Sequence, residues 1–441
     1  MIQRISILLL TMVLLAGCPP KSSNGLRNAL LEGKELLIIY TGNTLGELKP
    51  CGCDKEEEQG GIERRMSYLK SARTANTLLV DLGDSFKEAT RQGKLKAQYL
   101  TASMLRMQYD AVTLGEKDLV YGNKFLRDLG PVPWVSSNIA LEGISLPPYR
   151  IKQFASGLKV AVLAVADADL FYASPDSNVK VGDALHSVEK ILPDLIALER
   201  PHLVVLLSHM RREQGLQLLE VAGVDVVING HIETDADQID MTPVVKGQKI
   251  FVQPGPLGQK MGELRITWAA GESKVYDQKM VRLDAKVPFD PEMARLYEEY
   301  NAKVEDLFLA SLAEKRRKKS APVYATEKTC LTCHAPAHQA WAASRHGHAY
   351  ATLQKVNKSY DPECLICHTT GFNQPGGFIS EIDTPGLKNV QCEMCHGPRL
   401  QHSQAPRGGF AHLAVQACQR CHVPKHSPKF NYGRYWPRIQ H

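Results

Sequence analysis

One short pattern, Cys-x-x-Cys-His, occurs four times in the last quarter of this 441-residue chain. Two thiols at this spacing can add to the two vinyl groups of one haem, while the histidine that follows reaches the iron. Zinc sites and disulfides also use cysteine pairs, but neither requires a histidine after every second cysteine. The pattern therefore predicts four covalently bound haem c groups. The residues concerned are Cys330, Cys333 and His334, Cys364, Cys367 and His368, Cys392, Cys395 and His396, and Cys418, Cys421 and His422.

The segments around these motifs resemble one known family. They read TCLTCHAPAHQAWAASRHGHAYATL, ECLICHTTGFNQPGGF, VQCEMCHGPRLQH and FNYGRYWPRIQH. They resemble the tetrahaem cytochrome c that accepts electrons from hydroxylamine oxidoreductase, together with its relatives. The resemblance implies that the four motif histidines are proximal ligands. It also implies distal ligands at His402 for the first haem, His346 for the third and His441 for the fourth.

The second haem has no matching distal histidine, and in the family it is five-coordinate. Four histidines of the C-terminal part are not required by the family pattern, so one of them could occupy the open axial position of the second haem. In addition, His348 could replace His346 as the distal ligand of the third haem. These histidines are His338, His348, His412 and His426.

Charge is distributed unevenly along the chain. The formal net charge is +6, and the whole excess lies in residues 322–441, which hold 12 Lys and Arg against 6 Asp and Glu. A balance of this size does not indicate a nucleic-acid-binding protein. The expected partners are instead redox proteins, either other cytochromes or an oxidoreductase.

The first eighteen residues, MIQRISILLLTMVLLAGC, are typical of a targeting segment. A basic residue precedes an apolar run that is too short to span a bilayer comfortably, and small residues precede Cys18. The ending Leu-Ala-Gly-Cys resembles a bacterial lipobox, which implies that residues 1–18 are a lipoprotein signal peptide and that Cys18 is lipidated. We therefore expect a membrane-anchored protein on the periplasmic side. Pro19 in place of aspartate favours the outer membrane over the inner one.

Residues 35–285 show alternating strand and helix patterns. Six apolar runs predict strands that are buried on both faces, with helical patterns between them, and this combination indicates an α/β arrangement. The predicted strands are 36–40, 77–82, 110–114, 159–165, 202–207 and 224–230, and the predicted helices are 62–75, 94–107, 184–199 and 212–222.

The ends of these strands resemble the successive motifs of calcineurin-like metallophosphoesterases, in the 5′-nucleotidase branch. The stretches are LLIIYTGNTLGELKPCGC, GGIERRMSYL, VDLGDSF, AVTLGEKDL, VVLLSHMRR and VVINGHIET. In that family the motifs supply ligands to two metal ions, which activate water and hold the phosphate. The two resemblances predict a metallophosphoesterase-like α/β sandwich, followed by a small, mostly α-helical and irregular tetrahaem cytochrome c domain.

Several metal ligands of the phosphoesterase family are replaced in this chain. The opening Asp-x-His has become Asn43-Thr-Leu45, and the Gly-Asn-His-Glu motif has become Gly-Glu116-Lys117-Asp. One metal position keeps four candidate ligands, whereas the other lacks a histidine. The candidates for the first position are Asp84, Glu116, His209 and His231, and those for the second are Asn43, Asp84 and Glu233.

These replacements allow two interpretations of the N-terminal domain. In the first, the domain binds one divalent metal ion or none and serves as a scaffold or docking surface. In the second, it is a variant hydrolase with altered ligands. We favour the first, because Lys117 opposes a second metal electrostatically and, without two metals, the clamp for in-line displacement is missing.

A linker helix is predicted at 286–321, between the phosphoesterase-like residues 35–285 and the cytochrome residues 322–441. Its apolar residues recur on one helical face. The short sequence Cys51-Gly-Cys53 could form a disulfide, bind a soft metal or remain two thiols. The residues of the helical face are Met293, Leu296, Tyr297, Tyr300, Val304, Leu307 and Phe308.

Three hypotheses for the function follow. The leading one is a lipid-anchored multihaem cytochrome that transfers electrons between redox partners and is not itself an enzyme. The second is a 5′-nucleotidase-like phosphoesterase with a redox-sensing haem domain. The third is a haem enzyme that acts on a small nitrogen or oxygen compound at the open second haem.

The motif count predicts the haem content. Purified protein should hold four haems per chain, and replacing both Cys392 and Cys395 should remove one of them. The measurement is haem content after denaturation and extraction with acidified organic solvent, since thioether-linked haem stays with the chain. Haem that passes into the solvent would contradict the prediction.

Overall fold

The computed structural model describes residues 31–50, 58–87, 89–172, 178–232, 239–269, 273–405, 415–424, 426–427 and 429–441. The predictions for Cys18, Cys51, Cys53, Glu233 and His412 therefore lie outside the described residues. Within the described ranges, no helix is both long enough and apolar enough to cross a membrane.

The described residues form thirteen strands and fourteen α-helices. The strands are β1 (Glu35–Thr41), β2 (Thr77–Asp81), β3 (Ala111–Val112), β4 (Ile139–Leu141), β5 (Tyr149–Gln153), β6 (Lys159–Ala166), β7 (Val179–Val181), β8 (Leu203–His209), β9 (Val226–Asn229), β10 (Val244–Lys246), β11 (Lys249–Val252), β12 (Lys260–Trp268) and β13 (Lys274–Arg282). The helices are α1 (Ile62–Ala72), α2 (Arg91–Met107), α3 (Gly122–Asp128), α4 (Ala184–Glu199), α5 (Arg212–Gln217), α6 (Pro291–Arg317), α7 (Glu327–Leu331), α8 (Ala335–Ala343), α9 (Ala349–Gln354), α10 (Pro362–His368), α11 (Cys392–His396), α12 (Leu400–Gln404), α13 (Val415–Gln419) and α14 (Tyr432–Tyr435).

Two sheets pack against each other in the N-terminal unit. The first has the order β13-β12-β1-β2-β3, in which β1, β2 and β3 are parallel and β12 is antiparallel to both neighbours. The second has the order β10-β11-β9-β8-β6-β5, with four parallel strands between two antiparallel edge strands. Apolar side chains of both sheets form the central core, and helices cover the two outer faces. The N-terminal unit is therefore the α/β sandwich that the sequence predicted.

All six predicted strands are present, as β1, β2, β3, β6, β8 and β9. Long apolar runs are reliable signals here because parallel strands covered on both faces are buried along nearly their whole length, as β6 and β8 are. Sequence reasoning missed the other seven strands. Strand β13, for example, has no buried residue, so its composition resembles that of a loop.

One long helix, α6, belongs to the cores of both units. The side chain of Asp290 caps its N terminus and accepts hydrogen bonds from two backbone N–H groups at 3.0 and 3.1 Å. Met293 lies in the core of the N-terminal unit, whereas Phe308 and Leu312 lie in the core of the C-terminal unit. Leu307, which the sequence predicted to lie on the same apolar face of the helix, is only half-buried. The helix thus continues from one core into the other without interruption.

The C-terminal unit has short helices and a small apolar core. The core contains residues of α6, α9 and α10 together with the loop that follows α10. After Leu387, no apolar side chain is buried in the stretches that the structure describes. Both later haem motifs lie in this segment: the third occupies a five-residue helix, α11, and the fourth begins in another, α13, and continues beyond its end at Gln419. Such short helices are not stable alone, so their positions depend on other partners.

Candidate haem-binding and metal-binding sites

Three of the four motif histidines face a second imidazole ring. An imidazole nitrogen lies about 2 Å from the metal that it binds and the ring centre roughly 1 Å further, so two imidazoles on one ion stand roughly 6 Å apart. The observed separations therefore fit one haem iron between the two rings of each pair. The pairs are His334 and His402 at 6.4 Å, His346 and His422 at 6.1 Å, and His396 and His441 at 5.9 Å between ring centres.

Hydrogen bonds fix the orientation of two histidine rings of the C-terminal unit, those of His368 and His441. The Nδ1–H of His368 donates to the carbonyl of Ala349 at 2.7 Å, and the Nδ1–H of His441 donates to the carbonyl of Ile439 at 2.9 Å. A proton held at Nδ1 leaves the lone pair of Nε2 available to a metal. Both rings are therefore in the tautomer that axial ligation requires.

For the third and fourth motifs, the facing rings pair differently from the distal assignments expected from the sequence. His346 faces the fourth motif through His422, and His441 faces the third motif through His396. The physical reason is that motifs associate across chain order. The Cys330 side chain lies beside that of Cys392, and the Cys367 side chain lies beside that of Cys421, so the first motif adjoins the third and the second adjoins the fourth.

Among the described residues, the second motif is the one whose histidine has no facing imidazole. In the described part of the chain, no ring stands opposite His368 at the distances seen in the three pairs. Two of the unassigned histidines are accounted for: His338 Nε2 lies 2.6 Å from a carboxylate oxygen of Glu327, and His348 is exposed to solvent. The geometry therefore leaves one axial position of this haem without a histidine from these residues.

A buried carboxylate connects the first and third motifs. Glu393, which is 3% exposed, lies inside the third motif. It accepts hydrogen bonds from the backbone N–H groups of Ala325 at 2.9 and 3.0 Å, Thr326 at 3.1 Å and Arg399 at 2.7 Å. Because a buried charge is costly without such donors, this network fixes the segment before Cys330 against the third motif. Sequence reasoning gave Glu393 no role, although a charged residue between two haem cysteines was a signal.

The four predicted ligands of the first metal position converge at the ends of their strands. One ligand atom from each of Asp84, Glu116, His209 and His231 lies within 4.8 Å of all the others. His209 Nε2 is 2.8 Å from Glu116 Oε2 and 3.6 Å from Asp84 Oδ1. His231 Nδ1 is buried and makes no hydrogen bond, and it lies 3.7 Å from Glu116 Oε2. A buried nitrogen of this kind, beside the carboxylate of Glu116, fits a metal ligand.

Gly115 and Asp118 shape the loop that carries this cluster. A Cβ on Gly115 would lie 2.2 Å from Asp84 Oδ1, so only glycine fits there. The carboxylate of Asp118 accepts hydrogen bonds from the backbone N–H groups of Asp84 at 2.8 Å, Ser85 at 2.9 Å and Gly115 at 2.9 Å. Burial and the neighbouring charge of Asp84 raise the pKa of Asp118 to about 7. Sequence reasoning also missed this residue, whose signal was its place at the end of the Gly-Glu-Lys-Asp motif.

The second metal position does not fit a metal ion. The side-chain amide of Asn43 donates to the carbonyl of Gly230, and Leu45 is a buried apolar residue. Lys117 Nζ lies 2.8 Å from Asp84 Oδ2 and 3.4 Å from Glu116 Oε1. An ammonium group therefore already binds the carboxylate that would bridge two metals.

The negative charges of this cluster are compensated by charged side chains without a second metal ion. Burial opposes the charged form of His209, but the charge of Asp84 and the hydrogen bond to Glu116 together raise its pKa. Burial likewise opposes the charge of Lys117, and Asp84 and Glu116 raise its pKa as well. Two carboxylates thus face an imidazolium and an ammonium group. If one metal binds, Asp84, Glu116, His209 and His231 would hold it, and it would supply Lewis acidity.

These features define two classes in one chain: a metallophosphoesterase-like α/β domain and a small helical cytochrome c-like domain. Residues 329–397 match the family model described as "Cytochrome c554 and c-prime". Cytochrome c-554 of Nitrosomonas europaea is 37% identical over 86 residues, which are 16% of this chain and 37% of that protein.

The N-terminal unit is similar to nucleotidases. Snake venom 5′-nucleotidase of Naja atra is 27% identical over 220 residues, which are 45% of this chain and 41% of that protein. The solved 5′-nucleotidase precursor from Thermus thermophilus has a TM-score of 0.55 and 23% identity, covering 62% of this chain and 60% of that one. The calcineurin-like phosphoesterase YfkN from Bacillus subtilis has a TM-score of 0.50 and 19% identity, covering 62% of this chain and 98% of that one. The chain spans 37% and 41% of the first two curated relatives, so similarity at this level establishes the folds alone.

The incomplete ligand set predicts metal content and activity. Protein equilibrated with manganese should hold at most one ion in the N-terminal unit, and His209→Ala or His231→Ala should remove it. Hydrolysis of nucleotides or aryl phosphates should remain negligible. Elemental analysis and a phosphate-release assay provide the measurements, with Asp277→Ala, an exposed carboxylate on β13, as the control. Turnover on the order of 1–1000 per second that disappears in Asp84→Ala would show that the domain is an enzyme.

Proposed function

We propose that this protein is a multihaem c-type cytochrome that transfers electrons between redox partners. The observation that carries the proposal is the set of three imidazole pairs, each spaced for one iron, beside motifs that bind haem covalently. Two histidines on an iron leave no site for a substrate, and such haems have low potentials relative to Met–His haems. The cysteine side chains of the first and third motifs lie beside each other, as do those of the second and fourth, and haems attached there would be close enough for electron movement within the unit.

The phosphoesterase-like domain is, in this proposal, a non-catalytic scaffold. Lys117 provides the positive charge that a second ion would provide in a two-metal enzyme, but it cannot hold an attacking water or a phosphate oxygen as a metal does. At the first position, a single metal could bind without generating the two-ion arrangement that in-line displacement uses.

We also propose that the chain acts on the periplasmic side, attached to the outer membrane through a lipid on Cys18. The lipobox-like ending of residues 1–18 supports this location. Fractionation of cells that express Cys18→Ser tests it, since the variant should leave the membrane fraction.

Potentiometric titration tests the electron-transfer proposal. The wild-type protein should take up four electrons per chain reversibly, and His402→Met should raise the midpoint potential of one haem, because Met–His ligation raises potentials. His338→Gln is the matched control, since His338 bonds Glu327 and should leave every midpoint unchanged. Fewer than four electrons, or no effect of His402→Met, would contradict the proposal.

A second candidate function rests on His368, whose ring faces no second imidazole among the described residues. An iron with an open axial position can bind a small nitrogen or oxygen compound. The reduced protein should therefore bind one carbon monoxide per chain, with the other three haems unchanged in the visible spectrum. Spectra with only low-spin iron and no response to carbon monoxide would show that another residue closes this haem, and would remove this candidate.

A further inference from the structure

Two side chains of the phosphoesterase-like unit reach the helix that carries the second haem motif. Gln92 Nε2, on α2, donates a hydrogen bond to Asp361 Oδ1 at 2.8 Å. One helical turn further, Lys96 Nζ lies 2.6 Å from Glu363 Oε2. Glu363 directly precedes Cys364, the first haem cysteine of this motif. The N-terminal unit therefore contacts the cytochrome unit at the haem whose axial site lacks a partner histidine among the described residues.

Asp361 is the residue that begins the motif helix. Its Oδ1 accepts the backbone N–H of Glu363 at 3.1 Å, so it is the N-cap of α10. It is 6% exposed, and Gln92 is 8% exposed. Lys358 Nζ lies 3.1 Å from its other oxygen. The start of α10 is thus fixed by the amide of Gln92 and the ammonium group of Lys358. Gln92 belongs to the N-terminal unit.

The contact is also a charge network. The Lys96 side chain is 14% exposed and that of Glu363 is 43% exposed. Burial opposes the charge on Lys96, but Glu363 and Glu47 raise its pKa. Burial also opposes the charge on Asp361, while Lys358 and the Gln92 hydrogen bond lower its pKa. The carboxylates beside Cys364 are therefore compensated by lysines, and Lys96 belongs to the N-terminal unit.

We propose that Gln92 and Lys96 are positioning residues for the second haem, through which the phosphoesterase-like unit sets that haem's reduction potential. This inference rests on the proposed electron-transfer function and gives the non-catalytic domain a role within it. Reduction adds one electron to the haem, so a nearby positive charge favours the reduced form and a negative charge the oxidised form. Lys96 compensates Glu363, and Gln92 stabilises the cap that orients Cys364 and His368.

The sign of the electrostatic effect makes the inference testable. Lys96→Met leaves Glu363 uncompensated and should lower the midpoint potential of the second haem. Glu363→Gln should raise it, and the double variant should return it close to the wild-type value. Gln92→Leu removes a donor from Asp361 and should lower the same midpoint. Lys94→Met, an exposed lysine on the same helix, makes the same charge change away from the contact and should have no effect.

The experiment is a spectroelectrochemical titration of the full-length, haem-loaded protein. The second haem is identified as the midpoint that disappears when Cys364 and Cys367 are both replaced by alanine. A loosened structure would move the midpoints of Lys96→Met and Glu363→Gln in the same direction, whereas the electrostatic role moves them in opposite directions. Shifts in the same direction, shifts spread over all four haems, or no shift would overturn the inference. If the wild-type protein takes up four electrons in that case, the proposed function still stands; if it does not, the proposed function itself is wrong.

Discussion

The C-terminal unit is constrained by how little apolar surface its own polypeptide buries. After Leu387, the described residues bury no apolar side chain, although they carry two haem motifs and two of the facing histidines. Burial of apolar surface is the main driving force of folding, so this segment needs another source of order. Covalently attached haems, each held between two imidazoles, would supply both the apolar surface and fixed connections between helices that are otherwise too short to be stable.

The N-terminal unit differs from the C-terminal unit in how it is stabilised. It has an ample core between two sheets, and its unusual feature is a buried cluster of charges. Asp84 and Glu116 are compensated by Lys117 and His209 without any ion. The metallophosphoesterase-like fold thus carries a lysine ammonium group against the carboxylate of Asp84. Helix α6 and the contact between Gln92 and Asp361 then attach this stable unit to the cytochrome unit.

Sequence reasoning succeeded where one residue type has few alternative uses. The cysteine motifs predicted a cytochrome c-like domain, the long apolar runs predicted strands, and the motifs of Asp84, His209 and His231 predicted one cluster, and all three are found. It failed where the answer depends on which segments meet in space. Nothing in the chain order shows that His441 turns back to the third motif while His346 reaches the fourth. Glu393 and Asp118 were missed for a related reason, since their role is to accept backbone hydrogen bonds from neighbouring segments.

We propose that four irons lie at the four motifs and that three of them are held between specific histidine pairs. A crystal structure of the haem-loaded protein, with iron located by anomalous scattering, tests this claim most directly. Iron should lie between His334 and His402, between His346 and His422, and between His396 and His441, with the fourth iron at His368. An iron between His346 and His396, or a motif without iron, would contradict the account.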